Sequence, residues 1–240
     1  MGNLTPALGI VCGMASEVRA LGRWADDPRI AIGISGARPE RAEAEARRLT
    51  AAGCRVLMSW GVAGGLDPAL VPGDLIVPAE VADEAGTTWA MSNAVIARLD
   101  RKLQKDRMPG SSRGMTGTGA ILGLDRMVPG AAEKASLHAR TGAVAIDMES
   151  HRVARVAAEA ELPVLVLRAV GDPAGRALPA LAARALGADG QPRIGPVVAG
   201  LLRRPRDIGA LLRVRRDAEA ALAALAKCPD TAIPAALEGL

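Results

Sequence analysis

The sequence predicts an α/β domain built around a mostly parallel sheet. Short apolar runs alternate with helical patterns along most of the chain, the order expected where parallel strands are joined by crossover helices. The 240 residues fit one large domain, and 50% hydrophobic against 23% charged residues excludes wholesale disorder. No linker or internal repeat interrupts the alternation.

In order, residues 8–12 read as a strand and 15–24 as a helix. Residues 30–34 are a second strand, and 39–52 an Ala/Glu/Arg helix opened by Pro39, which suits a first turn. A third strand, 55–60, is expected to end in the glycine-rich loop Gly61-Val62-Ala63-Gly64-Gly65. Val71-Pro72-Gly73-Asp74 marks a turn before a fourth strand, 75–81. Residues 93–103 read as a helix, 105–112 as an exposed loop, 120–124 as a strand and 131–139 as a helix. A strand at 143–146 runs into a helix at 149–161. The most apolar strand, 162–170, is bounded by Gly171-Asp172-Pro173. Two or three helices follow Leu178. The division expected is a catalytic domain over 1–195 and an Arg-rich helical extension over 196–240.

Composition removes several function classes. The chain has no Phe or Tyr and three Trp, so its core must use Leu, Val, Ile, Met and Ala. Readers of single-stranded nucleic acid that stack bases on aromatics are disfavoured by the same fact. Residues 203–216 hold six arginines against Asp207 alone; the net charge is +4, so the rest of the chain is near neutral. One basic segment, not a diffuse nucleic-acid surface, is the expectation. In that segment Leu201, Leu202, Ile208, Leu211 and Leu212 interleave with arginine, the pattern of a basic amphipathic helix lying on an anionic membrane through residues 201–216. Cys12, Cys54 and Cys228 are odd in number and lack metal spacing. They point to a reduced, cytoplasmic chain, with contact at the inner membrane face as an extension of that reading. The first residues lack a basic region and a cleavable apolar run, and no apolar stretch reaches the ~18–20 residues that span a bilayer.

Ligands of open α/β sheets bind beyond the carboxyl ends of the strands. Three acids fall there: Glu17 after the first strand, Glu149 opening a helix, and Asp172 after the most apolar strand. Together they suit acid–base work or the binding of sugar hydroxyls; separately each would cap a helix or face solvent. The glycine-rich stretch at 61–65 would offer backbone N–H groups to an anion, or simply form a tight turn. It is neither a dinucleotide fingerprint nor a P-loop. Arg168, inside an apolar strand, needs an acidic partner or an anionic ligand. His138 and His151 form no metal spacing, and no nucleophile elbow is present.

Four segments together resemble the nucleoside phosphorylase and nucleosidase superfamily. Gly9-Ile10-Val11-Cys12-Gly13-Met14-Ala15-Ser16-Glu17-Val18 is similar to the opening of methylthioadenosine/S-adenosylhomocysteine nucleosidases. Gly61 through Leu66, then Pro72-Gly73-Asp74, resembles their ribose- and anion-side loop. Ile146-Asp147-Met148-Glu149-Ser150 resembles the ribose-binding motif, and Arg168-Ala169-Val170-Gly171-Asp172 the segment carrying the general acid. Within the superfamily, residues 34–42, the run from Asp172-Pro173 to Arg176-Ala177-Leu178-Pro179, and the Arg-rich tail are most similar to hopanoid-associated phosphorylases.

The resemblance implies a three-layer α/β/α fold with a mixed, mostly parallel sheet. It implies phosphorolysis of adenosylhopane to adenine and a phosphoribosyl-hopane, with hydrolysis of 5′-substituted adenosines as the alternative and a non-catalytic lipid- or partner-binding protein as the reading from another class. Asp172 would protonate the purine, and Glu17 would activate water or orient ribose or phosphate. Met148, Glu149, Gly61, Val62, Ala63 and Gly64 would bind substrate, and Gly36 and Arg38 phosphate. No metal or organic cofactor is implied, only inorganic phosphate as co-substrate. A homodimer acting on a nucleoside-lipid and not on nucleic acid is expected. Gly171 and Gly175 depart from a Ser and an Asp usual in the nucleosidases. Without Phe or Tyr, Trp60 or Trp89 would have to stack on the ligand.

Overall fold

The computed structural model describes residues 5–105, 115–116, 119–179 and 208–238. The described strands form one sheet around β3 (Val56–Gly65), which pairs in parallel with β1 (Leu8–Cys12) on one side and β10 (Val164–Asp172) on the other. Beyond β1 lies β2 (Ile30–Ile34), also parallel. Beyond β10 the sheet continues through β4 (Leu75–Val77) and β7 (Met115–Thr116). The end of β3 also pairs with β9 (Ala145–Asp147), which leads to β8 (Ala120–Gly123), β5 (Glu80–Asp83) and β6 (Thr88–Ala90). The β3–β9, β4–β10 and β5–β6 pairs are antiparallel, so the sheet is mixed but mostly parallel, as expected.

Helices flank this sheet. Helices α2 (Pro39–Ala51) and α5 (Ser150–Glu159) pack on each other, while α6 (Ile208–Leu225) lies over β10 and touches the short α1 (Ala15–Ala20). Helix α3 (Asn93–Lys105) meets α7 (Pro229–Leu237), and α4 (Ala131–Thr141) precedes β9. All five residues of β1 are buried, which explains their uniformly apolar character. The main core joins Ile10, Leu57, Met58, Trp60 and Leu165 to Ala221, Leu225 and Ile233 of the last two helices. Residues 208–238 therefore share the core of the domain, and the boundary expected at 195 lies outside the described residues.

Several boundaries moved. The helix expected over 15–24 is α1 followed by a 3₁₀ turn, Gly22–Asp26. The strand expected over 75–81 divides into β4 and β5 around Pro78, which has no N–H to continue a ladder. The largest correction concerns 61–65. These residues are not a loop but the end of β3, paired with β10 from Arg168↔Gly61 to Asp172↔Gly64. Asp172 likewise ends β10 instead of following it. The expected loop over 105–112 and the arginines at 203, 204 and 206 lie almost wholly outside the described residues.

Candidate active site

β1, β3, β9 and β10 deliver their carboxyl ends to one cavity of about 280 Å³. Glu17, Met148, Glu149, Asp172, Val62, Ala63 and Gly64 all line it. The three acids singled out in the sequence thus meet at one place. Gly61 lies under the floor. Of the 36–38 turn, Ala37 reaches the wall while Gly36 and Arg38 do not, and Arg38 is exposed at the start of α2. Trp60 is fully buried outside the lining, and Trp89 lines a separate groove, so neither supplies a stacking face here. His138 and His151 stand apart from it as well, bonded to the Ala143 carbonyl and to Asp125. Among the described residues no cluster of His, Cys, Asp and Glu is arranged for a metal.

Glu17 is held on both carboxylate oxygens. Its Oε2 accepts the backbone N–H groups of Gly13 at 2.7 Å and Met14 at 2.9 Å, and its Oε1 accepts that of Val62 at 2.9 Å. A carboxylate offers about four acceptor positions, so one on Oε1 remains open. The indole N–H of Trp60 donates to the Glu17 carbonyl, fixing its backbone. Burial pushes the Glu17 carboxyl up, against Arg168 and the three N–H groups.

Glu149 faces Glu17 across Gly13. A Cβ on Gly13 would sit 3.1 Å from Glu149 Oε1 and 3.2 Å from Glu17 Oε2. Beneath the pair runs the Arg168 guanidinium, 1% exposed, with Nε 2.6 Å from Asp147 Oδ2. Its Nη2 donates to Ser59 Oγ at 2.7 Å and to Glu149 Oε2 and Ser150 Oγ at 3.2 Å. Asp147 also accepts the Ser150 N–H and hydroxyl, which ties the start of α5 to the same network. Burial, opposed by Arg168, raises Glu149 to about 7. The glycine at 61 makes this arrangement feasible: a Cβ there would lie 2.5 Å from Glu17 Oε1 and 2.6 Å from Arg168 Nη1. Arg168 is therefore a structural cation with acidic partners, one of the two readings open to it in the sequence.

Asp172 stands at another part of the lining. Its Oδ2 accepts from Lys134 Nζ of α4 at 2.5 Å, and Lys134 is fully buried. Burial raises Asp172 and Lys134 works against that shift. Sequence reasoning missed Lys134, whose one available signal was its place three residues before Leu137 on the buried face of α4. It also missed the apolar wall made by Val214, Ala218 and Leu222, spaced i, i+4, i+8 on one face of α6. Met14, Val128 and Leu178 extend that wall.

Residues 20–192 match the phosphorylase superfamily. The chain belongs to that superfamily. Curated relatives include the 5′-methylthioadenosine/S-adenosylhomocysteine nucleosidases of Mycobacterium bovis and Mycobacterium tuberculosis, each 29% identical over 155 residues. That stretch is 51% of this chain and 61% of theirs, so the chain spans less than two thirds of the relatives it matches. Among solved structures, the Helicobacter pylori nucleosidase of the same name superimposes with a TM-score of 0.70 at 16% identity, over 95% of this chain and 98% of that one. Helicobacter pylori futalosine hydrolase gives 0.70 at 16%, over 98% and 99%. At such identity these structures establish the phosphorylase-superfamily fold and nothing finer.

Proposed function

We propose that this phosphorylase-superfamily chain hydrolyses the N-glycosidic bond of a purine nucleoside carrying an apolar 5′ substituent. The observation that carries this reading is the charge of the cavity. Glu17, Glu149 and Asp172 line it, while the cations within reach already hold carboxylates: Arg168 holds Asp147 and Glu149, Lys134 holds Asp172, and Arg126 holds Glu133 and Glu84. A phosphate dianion would enter against these acids, and among the described residues no cation of the lining, nor one bonded to its acids, is left unpaired to meet it, whereas water carries no such cost. The backbone N–H groups of Gly13, Met14 and Val62, which an anion would use, bind Glu17 instead. The nucleosidase relatives support the same choice.

In this reading the sugar lies over Met148, and Glu149 Oε1 accepts from its hydroxyls. Asp172 gives its proton to the purine as the glycosidic electron pair moves onto the base. Neutralising the leaving group in this way contributes about 10²–10⁴-fold. Glu17 takes the proton of the attacking water at its open Oε1 position. The apolar wall from α6 accepts the 5′ group, and adenosylhopane is the bulky case that the sequence resemblance suggests.

The test is purine release by purified protein, followed by chromatography, with and without phosphate, from adenosines bearing progressively longer 5′-alkyl groups. Equal release in both buffers is expected, with kcat/KM rising with chain length. Strict dependence on phosphate would overturn hydrolysis. It would favour the second reading, phosphorolysis, for which one observation speaks: Ser35 Oγ in the turn before Arg38 is buried without a hydrogen-bond partner.

Contact with an anionic membrane belongs to the same proposal. The outer face of α6 presents Ile208 and Leu212, 46% and 50% exposed, beside exposed Arg213, Arg215 and Arg216. This composition suits a lipid surface, and no described helix is long and apolar enough to cross one. Flotation with phosphatidylglycerol vesicles at low salt is expected to carry the protein, and Arg213→Glu with Arg216→Glu to release it. Absence of flotation would remove the membrane contact and leave the hydrolysis intact.

A further inference from the structure

Lys134 is the least expected buried group among the described residues. It is fully buried, yet lysine is almost never found inside a protein without partners. Its three ammonium protons have three acceptors: Asp172 Oδ2 at 2.5 Å, and the carbonyls of Pro173 and Arg176 at 3.2 Å each. All three acceptors belong to the segment 172–176, so one cation from α4 grips both the carboxylate and the backbone that follows it. The other charged groups facing Asp172 are Arg176 and, from α6, Asp217, and these two pair with each other. Lys134 is thus the one cation bonded directly to the Asp172 carboxylate among the described residues.

We propose that Lys134 is a positioning residue for Asp172: it pins Oδ2, reserves Oδ1 for the proton that the purine receives, and supplies the charge that the carboxylate meets once that proton has left. This rests on the hydrolytic reading for its catalytic half. Atoms balance simply. The O–H bond of neutral Asp172 breaks, an N–H bond forms on the purine, and the glycosidic pair passes to the base. Lys134 keeps its own protons throughout, and Asp172 regains one from solvent after the products leave. In a cavity already lined by Glu17, Asp147 and Glu149, an ionised, half-buried Asp172 without Lys134 would be a further anion with no counter-ion bonded to it.

The test uses the full chain with Lys134→Gln, which keeps a donor and loses the charge, and Lys134→Arg, which keeps the charge. Two readouts separate this inference from the function it rests on. The first is the pH profile of kcat/KM for purine release. A general acid must be protonated, so activity falls as pH rises through its pKa. Losing Lys134 should move that alkaline limb to higher pH, with kcat about 10²-fold lower and KM little changed, and Lys134→Arg should return the limb toward wild type. The second is carbon NMR titration of aspartate-labelled protein, which needs no activity. The Asp172 carboxyl should titrate at higher pH in Lys134→Gln than in wild type. An unmoved titration and an unmoved limb in a folded variant would overturn the proposal. A moved titration in a protein that cleaves no nucleoside would keep the Lys134–Asp172 coupling and overturn the hydrolytic reading alone. If Lys134→Gln does not fold, Lys134→Arg decides by the same titration: a carboxyl held as in wild type supports the charge, and one displaced upward opposes it.

Discussion

The two parts of the cavity handle buried negative charge differently. Beneath the proposed sugar position, Glu149 and Asp147 share the cation Arg168, whose charge also reaches Glu17, and Glu17 itself is held by three backbone N–H groups. At the proposed base position, Asp172 has Lys134 to itself. The shared arrangement leaves an excess of acid, which suits binding hydroxyls and drawing a proton from water. The private pair is balanced when Asp172 is ionised, which suits a group that must give a proton away. In the proposed mechanism charge count, more than residue type, would separate acceptor from donor, since the titratable groups of the lining are almost all carboxylates.

The comparison breaks most violently at Arg168. Arg168→Met should strand Asp147 and Glu149 in the core and cost about 3–5 kcal/mol, read as a lower urea midpoint. Asp172→Asn and Glu17→Gln are expected to lower kcat about 10²–10⁴-fold in single-turnover assays of purine release, and both should also lower the urea midpoint, the first by leaving buried Lys134 without its carboxylate and the second by setting an amide N–H against a backbone donor. Gly61→Ala places a methyl against Glu17 and Arg168 at the shared end only, and should cost about 1–3 kcal/mol of stability with a lower kcat.

A gentler probe is pH. Glu149 is raised to about 7 from an ordinary 4.5, and burial raises Glu17 and Asp172 as well. A carboxyl that holds its proton more tightly when folded contributes stability at low pH and loses it as pH rises through the folded value. Unfolding free energy should therefore decline between about pH 4.5 and 7, and Glu149→Gln should flatten that slope. Asp27, Glu43, Asp125 and Asp230 are shifted downward, so their contribution fades only in more acid solution. The smallest effect is expected from Arg38→Ala, outside the lining: less than about 0.5 kcal/mol in stability, and no change in hydrolysis.

Much of the frame was legible in the residues. The β1, β2, α2 and β10 runs stood out because each is bounded by turn residues or opened by a helix-starting proline, and their order implied the sheet. The glycines at 61–65 were misread because clustered glycine is a turn signature, whereas here Gly61 leaves room for two long side chains beside a strand. Glu17, Glu149 and Asp172 were readable from their places after strands. Lys134 was not, since its partner lies 38 positions along the chain and only folding brings them together. The wall of α6 was obscured by its own arginines: they drew attention to the outer face, while Val214, Ala218 and Leu222 carried the inner one.

The bond from Trp60 to the Glu17 carbonyl gives the molecule an optical consequence. With no tyrosine in the chain, its near-ultraviolet emission comes from three indoles, and among them only Trp60 is fully buried. Its ring is tethered to the backbone of cavity-lining Glu17, away from water and therefore toward the blue edge of the emission band. Filling or emptying the cavity should register there as a change in intensity, a label installed by the sequence itself.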